Sequence, residues 1–140
     1  MSAKNAIGID IVEIKRLERA SKKWGKVFLN KVYTSRELAY AKSKRYPAQH
    51  LAARFAAKEA IFKALGEVTS DFVGWKNIEI LNDNYGKPVV FWHGDAEKVR
   101  KKKKLRGALV SLSHTENYAV ATAMLIFKSM GREGFEPSKA

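Results

Sequence analysis

Arg54-Phe-Ala-Ala-Lys-Glu-Ala-Ile-Phe-Lys-Ala-Leu65 is the stretch on which the fold turns. It reads as the body of a long helix running from about Ala48 to Leu65, with Gly66 as its stop. Tyr46-Pro47 just ahead of it breaks the preceding element, because a residue before proline avoids the helical region. On a helical wheel Leu51, Phe55 and Phe62 fall within about 40° of one another, and Leu65, about 60° from Phe62, widens that arc to roughly 80°. Lys58 falls inside the apolar arc, where an aliphatic stem lets an ammonium snorkel to water. Glu59 falls on its margin with no such stem, so it needs a partner. Lys63, one turn on, offers an ordinary i,i+4 pair; a bound cation offers another.

The second informative stretch is Ala6-Ile-Gly-Ile-Asp-Ile-Val12. Its alternation predicts a strand with Ile7, Ile9 and Ile11 on one side and Gly8, Asp10 and Val12 on the other. Gly8 leaves open space on the side of Asp10, and a surface-facing acid on an edge strand is the plain alternative. A lone carboxylate in an apolar element is costly unless it is paired or metal-bound. Two such carboxylates, Asp10 and Glu59, suggest one shared hard cation such as Mg²⁺.

The rest of the chain sets bounds. Its 140 residues fit one domain, and no linker or repeat divides it. With no cysteine, disulfides, zinc-thiolate sites and thiol nucleophiles are excluded. No run of apolar residues is long enough to span a membrane. Lys4 is not followed by an apolar core, so no secretory signal is expected and the cytoplasm is the expected location. Lys and Arg number 27 against 14 Asp and Glu, a net charge of +13, which implies an anionic partner.

From Glu13 the period becomes helical, with Ile14, Leu17 and Trp24 on one face and Lys15, Arg16, Arg19, Lys22, Lys23 and Lys26 around the rest. Such a face is either simply solvated or a docking surface for something acidic. Thr34-Ser-Arg-Glu37 fits a capping box. Lys76–Leu81 and Pro88–Trp92 read as a hairpin around Asn82-Asp-Asn-Tyr-Gly-Lys87. Asp95 is a candidate cap for a helix through Lys104, whose Lys101–Lys104 run suits the C-terminal dipole. Ala108–Ser113 and Tyr118–Phe127 read as two strands around Ser113-His-Thr-Glu-Asn117. Residues 1–127 form the expected domain, followed by a polar tail, 128–140.

Ile7-Gly-Ile-Asp-Ile-Val12, the Arg54–Leu65 stretch, and Val110-Ser-Leu-Ser-His-Thr115 followed by Tyr118-Ala-Val-Ala occur in that order. Together they resemble the holo-[acyl-carrier-protein] synthase family of 4'-phosphopantetheinyl transferases, over residues 6–125. The resemblance implies an α+β fold, an antiparallel sheet packed on a long helix, in the short trimeric branch with sites at subunit interfaces. It implies transfer of the 4'-phosphopantetheine arm of coenzyme A to a serine of apo acyl carrier protein, in fatty acid biosynthesis, with adenosine 3',5'-bisphosphate as the other product. Asp10 and Glu59 then match the Mg²⁺ ligands, Lys63 a phosphate-neutralising lysine, and Glu59 is the candidate acceptor of the serine proton. Arg54 matches an arginine that holds the adenosine 3'-phosphate, His114 a histidine near the coenzyme phosphates, and Lys44 and Arg45 lie in the assisting basic stretch. Gly86, Lys87 and Pro88 match a turn that approaches the adenine from a neighbouring subunit. Arg16, Arg19, Lys22 and Lys23 become the docking face for the acidic carrier protein. A carrier domain of a polyketide or peptide synthetase is an alternative substrate. The alternative from another class is a basic nucleic-acid-binding protein, since phosphate contacts need little more than basic residues; the aromatics, however, do not form an exposed stacking pattern, so no nucleic-acid partner is expected.

Overall fold

The structure, a computed structural model, describes residues 5–129. In chain order the elements are β1 (Ala6–Glu13), α1 (Ile14–Val32), α2 (Ser35–Lys42), α3 (Pro47–Leu65), a short 3-10 turn (Trp75–Asn77), β2 (Ile78–Asn82), β3 (Pro88–Trp92), α4 (Gly94–Lys102), β4 (Leu105–His114) and β5 (Tyr118–Phe127). The fold is α+β, as expected, but its strands form two antiparallel sheets rather than one: a three-stranded sheet ordered β1-β5-β4, and the β2-β3 hairpin. Of the polar tail, residues 130–140 lie outside the described residues. Among the described residues no helix is long and apolar enough to cross a membrane.

α3 is the hub. Its deep face is made of Ala56, Ala57, Ala60, Ile61 and Ala64, which meet Ala121, Ala123 and Leu125 of β5. Small residues on both sides let helix and sheet approach closely. Gly8 marks the closest point, since a Cβ there would sit 1.9 Å from the carbonyl oxygen of Ala60. The space expected beside Gly8 is therefore filled by helix backbone. The large residues of the wheel, Leu51, Phe55 and Phe62, are only half-buried. Phe55 stacks on Trp75 at 5.1 Å, and Phe62 meets Trp75 and Phe72 edge-on. A wheel weighted by large side chains thus mistakes this flanking aromatic cluster for the deepest face.

β1 keeps its predicted alternation, with the glycine–aspartate side inward. Ile7, Ile9 and Ile11 are exposed, Ile7 by 71 %. In register with them on the same sheet face lie Met124 and Thr122 of β5 and Leu109 of β4; Met124 and Leu109 are also exposed. This apolar face is open, opposite the face that α3 covers.

Lys58 does not snorkel. It is fully buried, donates to the carbonyls of Val32, Trp75 and Ile78, and pairs with Glu37 at 2.9 Å. Glu37 in turn accepts from the Ile80 and Thr34 amides, completing the predicted capping box at Thr34. One buried ion pair thereby ties the end of α1, the start of α2 and the entry to β2 onto α3. α4 begins at Gly94 with His93 as its cap residue, so Asp95 lies in the first turn, where its charge suits the helix dipole instead of capping. α1 carries a break at Gly25 (φ 58°, ψ −138°), and Trp24 beside it is exposed, so the face predicted from Ile14, Leu17 and Trp24 is buried only at its first two members.

Candidate active site

Two clusters of predicted residues flank α3. The first joins β1 to α3. Asp10 points at the helix with its side chain only 16 % exposed, and Lys63 donates to its Oδ1 at 3.1 Å and to the Ile9 carbonyl at 2.9 Å. The i,i+4 pair of Glu59 with Lys63, one of the two alternatives, gives way to this cross-element bridge. Glu59 is half-buried. Its carboxyl is raised above the usual range, first by burial and then by the negative charge of Asp10, with Lys63 opposing. A carboxylate held up by the negative charge of a second, with an ammonium drawn onto that second one, makes a locus for positive charge. Among the described residues no group of three or more His, Asp or Glu gathers there or elsewhere. Two carboxylates suit a cation that takes its remaining ligands from phosphate and water, which is the habit of Mg²⁺; the donor set fits that ion.

The second cluster lies on the other side of α3. A cleft of about 410 Å³ is lined by residues that include Arg54, His114, Gly86, Lys87 and Pro88, five of the predicted site residues. The Gly-Lys-Pro turn is thus brought to Arg54 and His114 of its own chain. Gly86 adopts φ 81° in that turn, a conformation glycine accepts without strain. Arg54 is 2 % exposed, and its hydrogen bonds go to two neutral acceptors, the Ile80 carbonyl and Asn82 Oδ1. Neither acceptor carries a charge to neutralise it, and among the described residues no Asp or Glu lines the wall. A cationic, acid-free concavity attracts an anion.

Sequence reasoning missed Tyr40, His50 and Asn82 in this wall. The Tyr40 ring lies under both the Arg54 guanidinium, 4.2 Å from its centroid, and the Lys44 ammonium, 4.8 Å away. Lys44 thus stands behind the wall through Tyr40, whereas Arg45 turns to Tyr46. The signal available in sequence was spacing: His50 precedes Arg54 by four residues on one helix, so both face the same side.

Helix geometry separates the two clusters. At about 100° per residue, Glu59 and Lys63 stand roughly 140° and 180° around α3 from Arg54. Arg54 reaches β2, and Lys63 reaches β1. The basic face of α1 is a third surface, with Arg16, Arg19, Lys22 and Lys23 exposed; among the described residues only Arg19 of the four pairs with an acid, Glu13, at 3.6 Å.

A family model described as the 4'-phosphopantetheinyl transferase superfamily matches residues 6–123. A holo-[acyl-carrier-protein] synthase from Protochlamydia amoebophila is 46 % identical over 118 residues, covering 84 % of this chain and 94 % of that protein. Among solved structures, the Neisseria meningitidis holo-[acyl-carrier-protein] synthase superposes with TM-score 0.78 at 35 % identity, over 86 % of this chain and 96 % of that one. The Chronobacterium ammoniagenes ACPS–CoA complex superposes with TM-score 0.78 at 27 % identity, over 91 % and 100 %.

Proposed function

The chain belongs to the 4'-phosphopantetheinyl transferase superfamily and is a phosphopantetheinyl transferase; from that premise we propose that it moves the 4'-phosphopantetheine arm of coenzyme A to a serine of apo acyl carrier protein, in the service of fatty acid biosynthesis. The observation that carries the reading is the pairing of a two-carboxylate cluster, Asp10 with Glu59, and an acid-free cationic cleft around Arg54. The first suits a metal-bound pyrophosphate, and the second suits the phosphorylated ribose end of the same molecule. The matching region, residues 6–123, supports treating 1–127 as one catalytic domain. The setting proposed is the cytoplasm.

In the reaction the serine hydroxyl attacks the phosphorus that carries pantetheine. A new P–O bond forms, the pyrophosphate P–O bond breaks, and adenosine 3',5'-bisphosphate leaves. Asp10 and Glu59 would hold Mg²⁺, which when bound supplies charge stabilisation at the phosphate oxygens. Lys63 exchanges its bond with Asp10 for a phosphate oxygen and keeps the Ile9 carbonyl as its anchor. Glu59, raised by burial and by Asp10, accepts the serine proton. Arg54, His114 and Lys87 grip the anionic adenosine end, Gly86 and Pro88 shape the turn against the base, and Lys44, behind the Tyr40 wall, and Arg45 beyond it add positive potential. Arg16, Arg19, Lys22 and Lys23 steer the acidic carrier protein to the site.

The two clusters stand on different sides of α3, which favours a substrate that joins them between chains. The open face of Ile7, Ile9, Ile11, Leu109 and Met124 supplies an apolar surface suited to self-association. We therefore place the active sites at the interfaces of a homotrimer, each built from the Asp10–Glu59 cluster of one subunit and the Arg54 cleft of the next.

The test is an incubation with coenzyme A, Mg²⁺ and apo acyl carrier protein, followed by intact-mass measurement of the carrier. A gain of one phosphopantetheine, lost with EDTA and in Glu59→Gln, is expected. No gain with a folded protein and several carriers would overturn the reading.

A further inference from the structure

His50 is a cleft residue to which nothing above gives a task. It sits in the first turn of α3, one turn before Arg54. Its ring lies edge-on to Tyr40 of α2 at 5.7 Å and to His114 of β4 at 6.2 Å. The charged and titratable groups that face it are Arg54 from its own helix, Lys44 from the end of α2, His114 from β4 and the Tyr40 phenol. Lys87 adds a further cation to the same wall. None of these is an acid. Burial and then the charges of Arg54, His114 and Lys44 hold the His50 imidazole below its ordinary range. At neutral pH, before any ligand arrives, the His50 ring therefore adds no charge to a wall that is already cationic.

An anion changes that balance. A phosphomonoester dianion between Arg54 and His114 offsets the positive potential that opposes protonation, and an imidazole in its field gains a proton. The ring then becomes a donor at both nitrogens and makes charge-assisted hydrogen bonds. We propose that His50 is a further binding residue of the Arg54 cleft, an imidazole that takes up a proton as a ribose 3'-phosphate enters and so favours coenzymes bearing that phosphate over those lacking it. The inference rests on the reading of the cleft as the adenosine 3'-phosphate site. It adds a selectivity device that a phenylalanine or glutamine at this position would not supply.

The probes are adenosine 3',5'-bisphosphate and adenosine 5'-monophosphate, titrated calorimetrically into the wild type, His50→Phe and His50→Gln. Running each titration in two buffers of different ionisation enthalpy gives the protons taken up. The ligand's own titration is common to all three proteins and cancels in the comparison. At about pH 6.5 the wild type should bind the bisphosphate roughly three- to tenfold more tightly than either variant, with the gap closing toward about pH 8.5 as the imidazole remains neutral. Proton uptake on binding the bisphosphate should fall in both variants, while affinity for the monophosphate changes little. Variants that match the wild type in affinity and proton uptake, with the wild type still preferring the bisphosphate, would overturn the role of His50 alone. A wild type with no preference for the bisphosphate would overturn the reading of the cleft itself.

Discussion

Gly8→Ala tests the junction that sets the metal-side cluster. The new Cβ would lie 1.9 Å from the Ala60 carbonyl oxygen, 2.9 Å from its carbon and 3.0 Å from the Ala64 nitrogen. All three are backbone atoms of α3, so no side-chain rotation relieves the overlap. Ordinary contact begins at 3.4 Å, and 3.4 minus 1.9 leaves 1.5 Å of separation to be found between β1 and α3. Overpacking a core costs about 1–3 kcal/mol when side chains can adjust; with backbone on both sides the cost should reach roughly 3 kcal/mol or more, a large share of a domain's ~5–15 kcal/mol. The same shift stretches the bonds from Lys63 to Ile9 and Asp10, now 2.9 and 3.1 Å, beyond hydrogen-bonding reach. Urea denaturation reads the first effect, and the Mg²⁺ concentration needed for half-maximal transfer reads the second. A lower unfolding midpoint and a weaker Mg²⁺ response are expected together. A variant with wild-type midpoint and wild-type Mg²⁺ response would refute the claim that this close approach positions Asp10 against Glu59.

Lys58→Met should destabilise by roughly 3–5 kcal/mol in urea, because it strands buried Glu37 and three backbone carbonyls; a loss under about 1 kcal/mol would contradict the clamp. Glu79 is held down to about 2 from 4.5, against its burial, by hydrogen bonds from Arg36, Thr34 and His93. Its folded value is depressed, so its contribution is present above about pH 4.5 and is lost as pH falls toward 2. The difference in unfolding midpoint between wild type and Glu79→Gln should therefore shrink across that window, and a constant difference would be the wrong result. Arg16→Glu should raise the KM for carrier protein several-fold and leave that for coenzyme A unchanged, as measured by steady-state transfer; equal effects would remove α1 from the docking face.

Local chemistry was legible in the sequence where one residue type has one physical meaning. The Thr34 capping box, the Pro88 strand start and the alternation of β1 all follow from backbone rules that act over a few residues. Asp10 and Glu59 stood out because carboxylates in apolar elements are costly. The misreadings have a common cause, which is that depth is set by packing partners that lie far away in the chain. Lys58 looks like a snorkelling lysine until Glu37 and the carbonyls of α1 and β2 surround it. Gly8 looks like open space until the alanine face of α3 fills it. The isoleucines of β1 form the open face of the sheet, a pattern that follows if their partner is another chain. His50 could have been found from its i,i+4 spacing to Arg54, but Tyr40 was invisible because a cleft wall collects residues from α2, α3, the β2–β3 turn and β4, and no spacing rule connects those segments.

The central claim is that each active site joins the Asp10–Glu59 cluster of one subunit to the Arg54 cleft of another. Asp10→Ala and Arg54→Gln chains, each inactive alone, would be unfolded together, refolded as an equal mixture and assayed for phosphopantetheine transfer. Random assortment leaves both halves intact at about a quarter of the interfaces, so roughly a quarter of wild-type activity should return. A mixture as inactive as its parents, in assemblies shown by native mass spectrometry to contain both chains, would contradict the account.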